Sequence, residues 1–399
     1  MADSGPVVFV YQRMLPYHQA RFAAVAQALR RQGQTCVAVE VASFDRGYGQ
    51  LSDGSPPPGE AKDAVVCLFQ GADYLDLSPR QVSAAVVDAL HRLAPSTVFA
   101  PAPAFAEGAG ALHYKVRHGG RLVLMDDAWS VTDQRGRLTR WVKRLFYGYM
   151  DGGFFPDRLH GDYFARLNIP HQRQRYAVDA VGPAQVNGDG DVVGEPSIAK
   201  PYLLFVGRLI GLKNVAVLLK ALASLNNKAV HLVVIGEGPE SAALKDLASS
   251  LCLNSRVVWL GRCPNSLARA YMVNAEALLL PSSAETWGLV VNEAWMASTV
   301  VLGSDTVGAL QAAYPPEMHW MMVQPGDVAG WQDALTRLLA LRPDERAELV
   351  NESRRLAKKY SLAAHTQSAL ELISLPPRAR PMAPAGWLAR AWHGRVAVW

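Results

Sequence analysis

Cysteine is scarce in this 399-residue chain, with four in all. Cys36, Cys67, Cys252 and Cys263 stand far apart and form no Cys-x-x-Cys pair, so neither a disulfide framework nor a thiolate zinc site is expected. Four reduced thiols suit a cytoplasmic protein. Long apolar runs are missing too: none approaches the roughly 18 residues that a membrane span needs. The start, Met-Ala-Asp-Ser-Gly-Pro before Val7-Val-Phe-Val10, lacks the basic region and apolar core of a signal peptide. Nor is charge of one sign concentrated. The net charge is +5 and the pI about 9.0, but the basic residues are scattered rather than striped, which argues against nucleic acid. A phosphorylated ligand or an anionic membrane surface remains as the partner class. With 50% hydrophobic and 19% charged residues, the chain is long enough for two domains with full cores.

Short apolar runs alternate with stretches of helix length. Val7–Val10, Thr35–Val41, Ala64–Phe69, Thr97–Ala100 and Arg121–Met125 read as strands buried on both faces, with helices such as Gln19–Arg31 and Pro79–Leu93 between them. The glycine- and proline-bearing stretch Gly182–Pro201 breaks the pattern and reads as a linker. Alternation restarts with strands at Tyr202–Val206, His231–Ile235, Val257–Leu260, Ala277–Leu280 and Val300–Gly303. Helices are expected at Asn214–Leu225, Ser241–Leu251, Leu267–Asn274 and Leu289–Ala297. The expected fold class is α/β: two Rossmann-like domains with parallel sheets facing across a cleft, at 1–183 and 201–372, a linker at 184–200 and a tail at 373–399. Ligands of such sheets bind at the carboxyl ends of the strands.

The chemistry concentrates in the second half. Pro281-Ser-Ser-Ala-Glu285-Thr-Trp287-Gly288-Leu289-Val-Val-Asn-Glu293 places two carboxylates eight residues apart, around a glycine at a strand-to-helix turn. Free amides at that helix start attract an anion, and the two glutamates flank it. After strand Leu203–Val206 comes Gly207-Arg208-Leu-Ile-Gly-Leu-Lys213-Asn, whose two cations can reach one diphosphate, the arginine as a planar fork and the lysine as a point charge. Ile235-Gly236-Glu-Gly-Pro239 is a weak signal alone, since glycines after a strand often mark only a tight turn.

In this order, these segments resemble the donor-binding half of the family 4 glycosyltransferases, retaining enzymes of the GT-B fold. Val258-Trp-Leu-Gly261 and Ser304-Asp305 with Gly308 complete the match, which runs from about Pro201 to Gly308. The resemblance implies that Arg208 and Lys213 bind the donor diphosphate and stabilise the charge on the leaving group. It further implies that the amides around Trp287, Gly288 and Leu289 contact phosphate oxygens, as do the turns at Gly207 and Gly236. Glu293 would accept from the ribose hydroxyls, Glu285 would face the transferred sugar, and the loop holding Arg262 and Cys263 would lie near the base. The expected activity is that of a hexosyltransferase moving sugar from a UDP- or GDP-linked donor to a glycan or lipid-linked acceptor, in building a bacterial polysaccharide or glycoconjugate. A sugar-nucleotide epimerase of similar fold and a non-catalytic nucleotide- or carbohydrate-binding module are the alternatives.

The chain departs from the family pattern in places. Ala297-Ser-Thr-Val-Val replaces a Gly-x-Pro segment, so that turn must be built differently, and a bulky Trp287 is expected to reshape the sugar pocket. No glycine-rich loop follows the first strand. Its place is taken by Tyr11-Gln-Arg13-Met-Leu-Pro-Tyr17-His18-Gln-Ala-Arg21, where acceptor recognition by Arg13, Tyr17 and His18 is expected. A lone histidine there is equally suited to capping or packing. Asp127, after strand Arg121–Met125, suits either an acceptor hydroxyl or a turn cap. Asp189-x-Asp191 lies in the linker without a strand before it, and no cofactor or metal ion is expected to be required. The tail, with Arg378, Arg380, Arg390, Arg395, Trp387, Trp392 and Trp399, is expected to cross back onto the first domain. The rival is a strip lying on an anionic membrane, which would place the protein peripherally at the inner face.

Overall fold

The computed structural model describes residues 5–46, 65–133, 136–182, 198, 200–378 and 384–396. Most of the expected linker, including Asp189 and Asp191, and the tail residues Arg380 and Trp399 lie outside them. The chain forms two compact units, Met1–Ala180 with Leu362–Trp399, and Val181–Ser361.

The first unit is built on a seven-stranded parallel sheet. Its strands are β1 (Val7–Tyr11), β2 (Cys36–Phe44), β3 (Val65–Asp73), β4 (Thr97–Ala100), β5 (Arg121–Met125), β6 (Gly152–Phe154) and β7 (Gln174–Arg175), in the order β3-β2-β1-β4-β5-β6-β7. Its helices are α1 (Pro16–Arg31), α2 (Pro79–Leu93), α3 (Ala106–His118), α4 (Arg137–Tyr147) and α5 (Arg158–Ala165). Side chains of β1 alternate between two cores, as a strand covered on both faces requires: Val8 and Val10 enter one, Val7, Phe9 and Tyr11 the other. The reading of β3 as buried on both faces does not hold. It is the edge strand, and most of its residues are partly or largely exposed.

Local chemistry sets the helices. Ser78 caps α2, accepting from the Gln81 amide at 3.3 Å, while Gln81 Oε1 accepts from the Ser78 amide at 3.0 Å and Pro79 opens the first turn. Val82, Val86 and Leu90 then recur at helical spacing on its buried face. Two helices from the end of the chain also belong to this unit. α13 (Leu362–Ser374) packs on α1, and α14 (Pro384–Ala391) on α3 and α4.

In the second unit, β8 (Tyr202–Val206), β9 (His231–Ile235), β10 (Val257–Gly261), β11 (Ala277–Leu280), β12 (Val301–Ser304) and β13 (Met322–Val323) form a parallel sheet in the order β10-β9-β8-β11-β12-β13. Its helices are α6 (Val215–Ser224), α7 (Ser241–Ser250), α8 (Asn265–Asn274), α9 (Leu289–Met296), α10 (Gly308–Ala313), α11 (Val328–Leu339) and α12 (Pro343–Lys359). Each sheet reverses its winding beside its first strand, the order typical of dinucleotide-binding folds. In the second unit the switch point lies between β8 and β11. Among the described residues, no helix is long and apolar enough to cross a membrane.

Candidate active site

At that switch point the loops leaving β8 and β11 meet. Lys213 closes a single 3-10 turn (Gly211–Lys213) before α6, and its ammonium forms an ion pair with Glu285 Oε2 on the loop after β11. The two side chains are 19% and 17% exposed, reachable from solvent but partly desolvated. Ser282 Oγ donates to the same carboxylate oxygen at 3.2 Å. A second loop holds Glu285 from behind: its amide donates to Thr306 O at 3.3 Å, its carbonyl accepts from Gly308 at 3.2 Å, and Thr306 Oγ1 donates to Ser282 O at 2.6 Å. Sequence reasoning noted Ser304-Asp305 and Gly308 as a motif but missed the holding role of Thr306 and Ser282. That role depends on parallel pairing of β11 with β12.

The remaining candidate donor residues lie on the loops and helix starts that follow β8, β9, β10 and β11. Arg208 is exposed on the same loop as Lys213, with no charged partner among the described residues. Gly207 donates to Ile235 O at 3.0 Å, and Leu209 to Glu237 O at 2.9 Å, so the turns after β8 and β9 lie backbone against backbone. Gly236 is required there: its φ is +134°, and a Cβ would stand 1.9 Å from Gly207 O. Arg262 and Cys263 follow β10, two strands from the switch point. The Arg262 amide donates to Glu237 Oε1 at 3.4 Å, and burial pushes the Cys263 thiol up.

Gly288, at φ +99°, opens α9 and turns the amide of Leu289 into the first helical turn. Trp287 does not reshape a sugar pocket. Its indole is buried, donating Nε1–H to Asn292 Oδ1 at 2.9 Å and meeting the Tyr360 ring edge-on at 5.0 Å, so the side chain anchors the turn while its backbone stays beside the helix start. Glu293, one turn into α9, is half-buried, and no side chain donates to its carboxylate among the described residues. Burial alone pushes it up to about 7. Past this helix, the turn that lacks Gly-x-Pro is made by Ser298 in the left-handed region, at φ +60°. Thr299 stabilises it by donating its amide to Ala294 O and its hydroxyl to Met272 O, both at 2.8 Å.

The candidate acceptor residues lie in the first unit at the carboxyl ends of β1 and β5. Arg13 is 4% exposed, with its guanidinium 6.0 Å from the Phe44 ring centre. His18 Nδ1 stands 3.0 Å from Arg13 O and 3.4 Å from the Leu15 amide, and the ring stacks on Tyr11 at 4.8 Å. Burial, then the nearby Arg21 guanidinium, hold it down to about 3. It is therefore neutral, and it closes the start of α1. Tyr17 is half-buried, its ring 5.0 Å from the Arg21 guanidinium.

Asp126 Oδ1 accepts from the Ala128 amide at 2.9 Å, a turn-capping bond, while Asp127 beside it raises Asp126 further after burial, to about 6. Asp179, 3.4 Å from Arg21, is pushed up to about 7, first by burial, despite that arginine. Asp179 is far from Asp126 and Asp127 in sequence yet feels both, and sequence reasoning missed it because no local pattern marks it. Among the described residues, no group of three His, Cys, Asp or Glu side chains is placed to hold a metal ion.

Residues 195–356 match the family of glycosyl transferases group 1. The chain is similar to the D-inositol 3-phosphate glycosyltransferases of Corynebacterium urealyticum, at 33% identity over 46% of this chain and 45% of the relative, and of Mycolicibacterium smegmatis, at 31% over 53% and 48%. It thus spans about half the length of the curated relatives it matches. Over nearly the whole chain the fold resembles sucrose-phosphate synthase from Thermosynechococcus elongatus (TM-score 0.69, 17% identity, 92% of this chain and 98% of that one). Anabaena Alr3699/HepE in complex with UDP-glucose is similar to the same degree (TM-score 0.68, 14% identity, 93% and 99%). The fold is that of the GT-B glycosyltransferases, and residues 195–356 are similar to the group 1 glycosyl transferases.

Proposed function

We propose that this protein is a retaining hexosyltransferase that takes a sugar from a UDP- or GDP-linked donor and passes it to a glycan or lipid-linked acceptor in bacterial glycoconjugate synthesis. The observation that carries the reading is the Lys213–Glu285 ion pair at the switch point of a Rossmann sheet, followed on α9 by the Glu293 carboxylate, to which no side chain donates among the described residues. The relatives named as glycosyltransferases and the neighbour holding UDP-glucose support it.

In this reading the diphosphate sits against Lys213, Arg208 and the amides of Gly288 and Leu289. Negative charge grows on the leaving phosphate as the glycosidic bond breaks, so fixed cations there stabilise the transition state more than the ground state. Two cations and a helix start carry that charge, and no metal ion or other cofactor is assigned a role. Glu285, held by Lys213 and Ser282, orients the sugar. Glu293 accepts from the ribose hydroxyls, which supply the donors its carboxylate otherwise lacks. The acceptor is assigned to the first unit, at Tyr17 and Asp127. Arg13 and His18, buried or turned into the loop, shape that surface. The protein works in the cytoplasm, at the inner face of the membrane where its acceptor is lipid-linked.

Incubation with common nucleotide sugars tests the reading. Thermal shift should single out one donor. Slow release of nucleoside diphosphate into water, lost in Lys213→Ala and Glu285→Gln, and an α-configured product from an α-configured donor are expected. A binding module would release no nucleotide from any donor, and an epimerase would convert the sugar while leaving its diphosphate linkage intact.

A further inference from the structure

Helix α4 is unlike every other helix of the first unit. Its sequence, Arg-Leu-Thr-Arg-Trp-Val-Lys-Arg-Leu-Phe-Tyr, holds four cations and no acid. Leu138, Trp141, Val142, Leu145 and Phe146 recur at helical spacing and form one apolar stripe. The stripe is buried at its carboxyl end, where Phe146 and Tyr147 enter the core, and runs out into solvent at the other. Leu138 is 75% and Trp141 55% exposed, and Val131, just before the helix, is also exposed. Lys143 is engaged with Asp133 at 2.5 Å and Tyr163 at 2.9 Å. Arg137, Arg140 and Arg144 are exposed and make no ion pair among the described residues. Beside α4 packs α14, with Trp387 68% exposed and Arg390 exposed as well. The tail's indoles thus divide: Trp392 is held by Phe146 and by Pro103 O, and Trp387 is free of the core.

We propose that the amino-terminal half of α4 is a membrane-contact surface that seats Leu138 and Trp141 in the head-group layer of an anionic bilayer, with Arg137, Arg140 and Arg144 against lipid phosphates. Exposed leucine and tryptophan beside unpaired arginines is the composition of a helix lying in a membrane interface, where indole and aliphatic groups meet the acyl boundary and guanidinium groups reach phosphate. Charge decides against a second copy of the chain as occupant. A two-fold interface through α4 would set three arginines against the same three arginines. The surface needs no donor turnover, so its failure would leave the glycosyltransferase reading untouched.

Cosedimentation of the full chain with vesicles of phosphatidylglycerol and phosphatidylcholine in equal parts, against phosphatidylcholine alone, tests this surface. The wild type should pellet with the anionic vesicles and be released by salt. The double variant L138S/W141S should weaken partitioning by on the order of a hundredfold, since both side chains lose interfacial burial. R140E/R144E should remove the preference for anionic lipid. Both should keep the wild-type melting temperature and donor hydrolysis, because the substituted side chains are exposed. Several results would overturn the proposal: wild type left in the supernatant with both vesicles, L138S/W141S binding as well as wild type, or W387S abolishing binding while L138S/W141S does not. So would a wild-type dimer that L138S/W141S dissociates without any vesicle binding.

Discussion

The two units share a sheet order around their first strand, yet they use the switch point in opposite ways. In the second unit, the loops after β8 and β11 present Arg208, Lys213 and Glu285 where solvent can reach them, and Gly236 lets the turn after β9 approach the loop after β8. In the first unit, Arg13, Met14 and Leu15 of the loop after β1 are buried. It is locked by Met14 N–H to Glu40 Oε1 at 2.7 Å and Gln12 Nε2 to Asp45 at 2.5 Å. The loop after β4 is clasped by the end of the chain: Ala106 donates to Arg395 O at 3.0 Å, Arg395 to Ala104 O at 2.9 Å, and Trp392 to Pro103 O at 2.6 Å. Topology supplies a place for a ligand, and the loops decide whether it is used.

The largest effect should come from the open switch point. Lys213→Ala and Glu285→Gln should each lower turnover by about 10²–10³, the usual cost of removing one preorganised group from a developing charge. Melting temperatures should fall only by a few degrees, the equivalent of about 1–2 kcal/mol, because the partner left behind is partly desolvated yet still reachable by solvent. Near-normal kcat in either variant would erase the distinction between the two units. Next should come Gly236→Ala, whose Cβ cannot fit beside Gly207 O and whose φ suits only glycine. Moving the Arg208 loop should lower kcat/KM roughly tenfold or more and cost about 2 kcal/mol of stability. Arg13→Ala, at the closed switch point, should do the reverse. It empties a buried site against Phe44 and near the Glu40 carboxylate, so the melting temperature should fall by several degrees, for about 2 kcal/mol, while turnover changes less than about tenfold. A greater loss of turnover than of stability there would place Arg13 on the substrate.

Much of the second unit was legible because β8, β9 and β11 are almost wholly buried apolar runs, the first two with glycine at their exits, so they and the Glu285 to Glu293 spacing stand out in one dimension. Less was legible where burial is one-sided: edge strand β3 has the composition of an interior strand, and α3 to α5 lack sharp starts, none having a side-chain cap. Contacts between distant segments left no local trace. The Lys213–Glu285 pair spans 72 residues, the clasp of Trp392 on Pro103 spans 289, and Arg21 meets Asp179 only once α1 has packed against the segment after β7. Trp287 misled because a large aromatic beside a catalytic-type glutamate suggests a pocket wall, whereas Tyr360 and Asn292 draw it into the core.

The most specific effect concerns Glu293. Burial raises its carboxyl from the usual 4.5 to about 7, so the free protein holds it neutral below about pH 7 and ionised above. A folded-state value above the unfolded one means that the stability linked to this group is fully present below about pH 4.5 and is lost as pH rises through about 7. Glu293→Gln keeps the shape and removes the charge, so its melting temperature should exceed the wild type's above about pH 7, by the equivalent of at most about 3 kcal/mol, and the gap should close toward pH 5. Donor binding should run the other way. Ribose hydroxyls donate to the ionised carboxylate, so wild-type affinity for UDP-glucose, whose diphosphate has no group titrating in this range, should rise severalfold from about pH 6 to about pH 8. Affinity in Glu293→Gln should be lower and flat over the same interval. A wild-type affinity that is also flat would mean that no donor hydroxyl reaches Glu293, and that its raised carboxyl reflects burial in the fold alone.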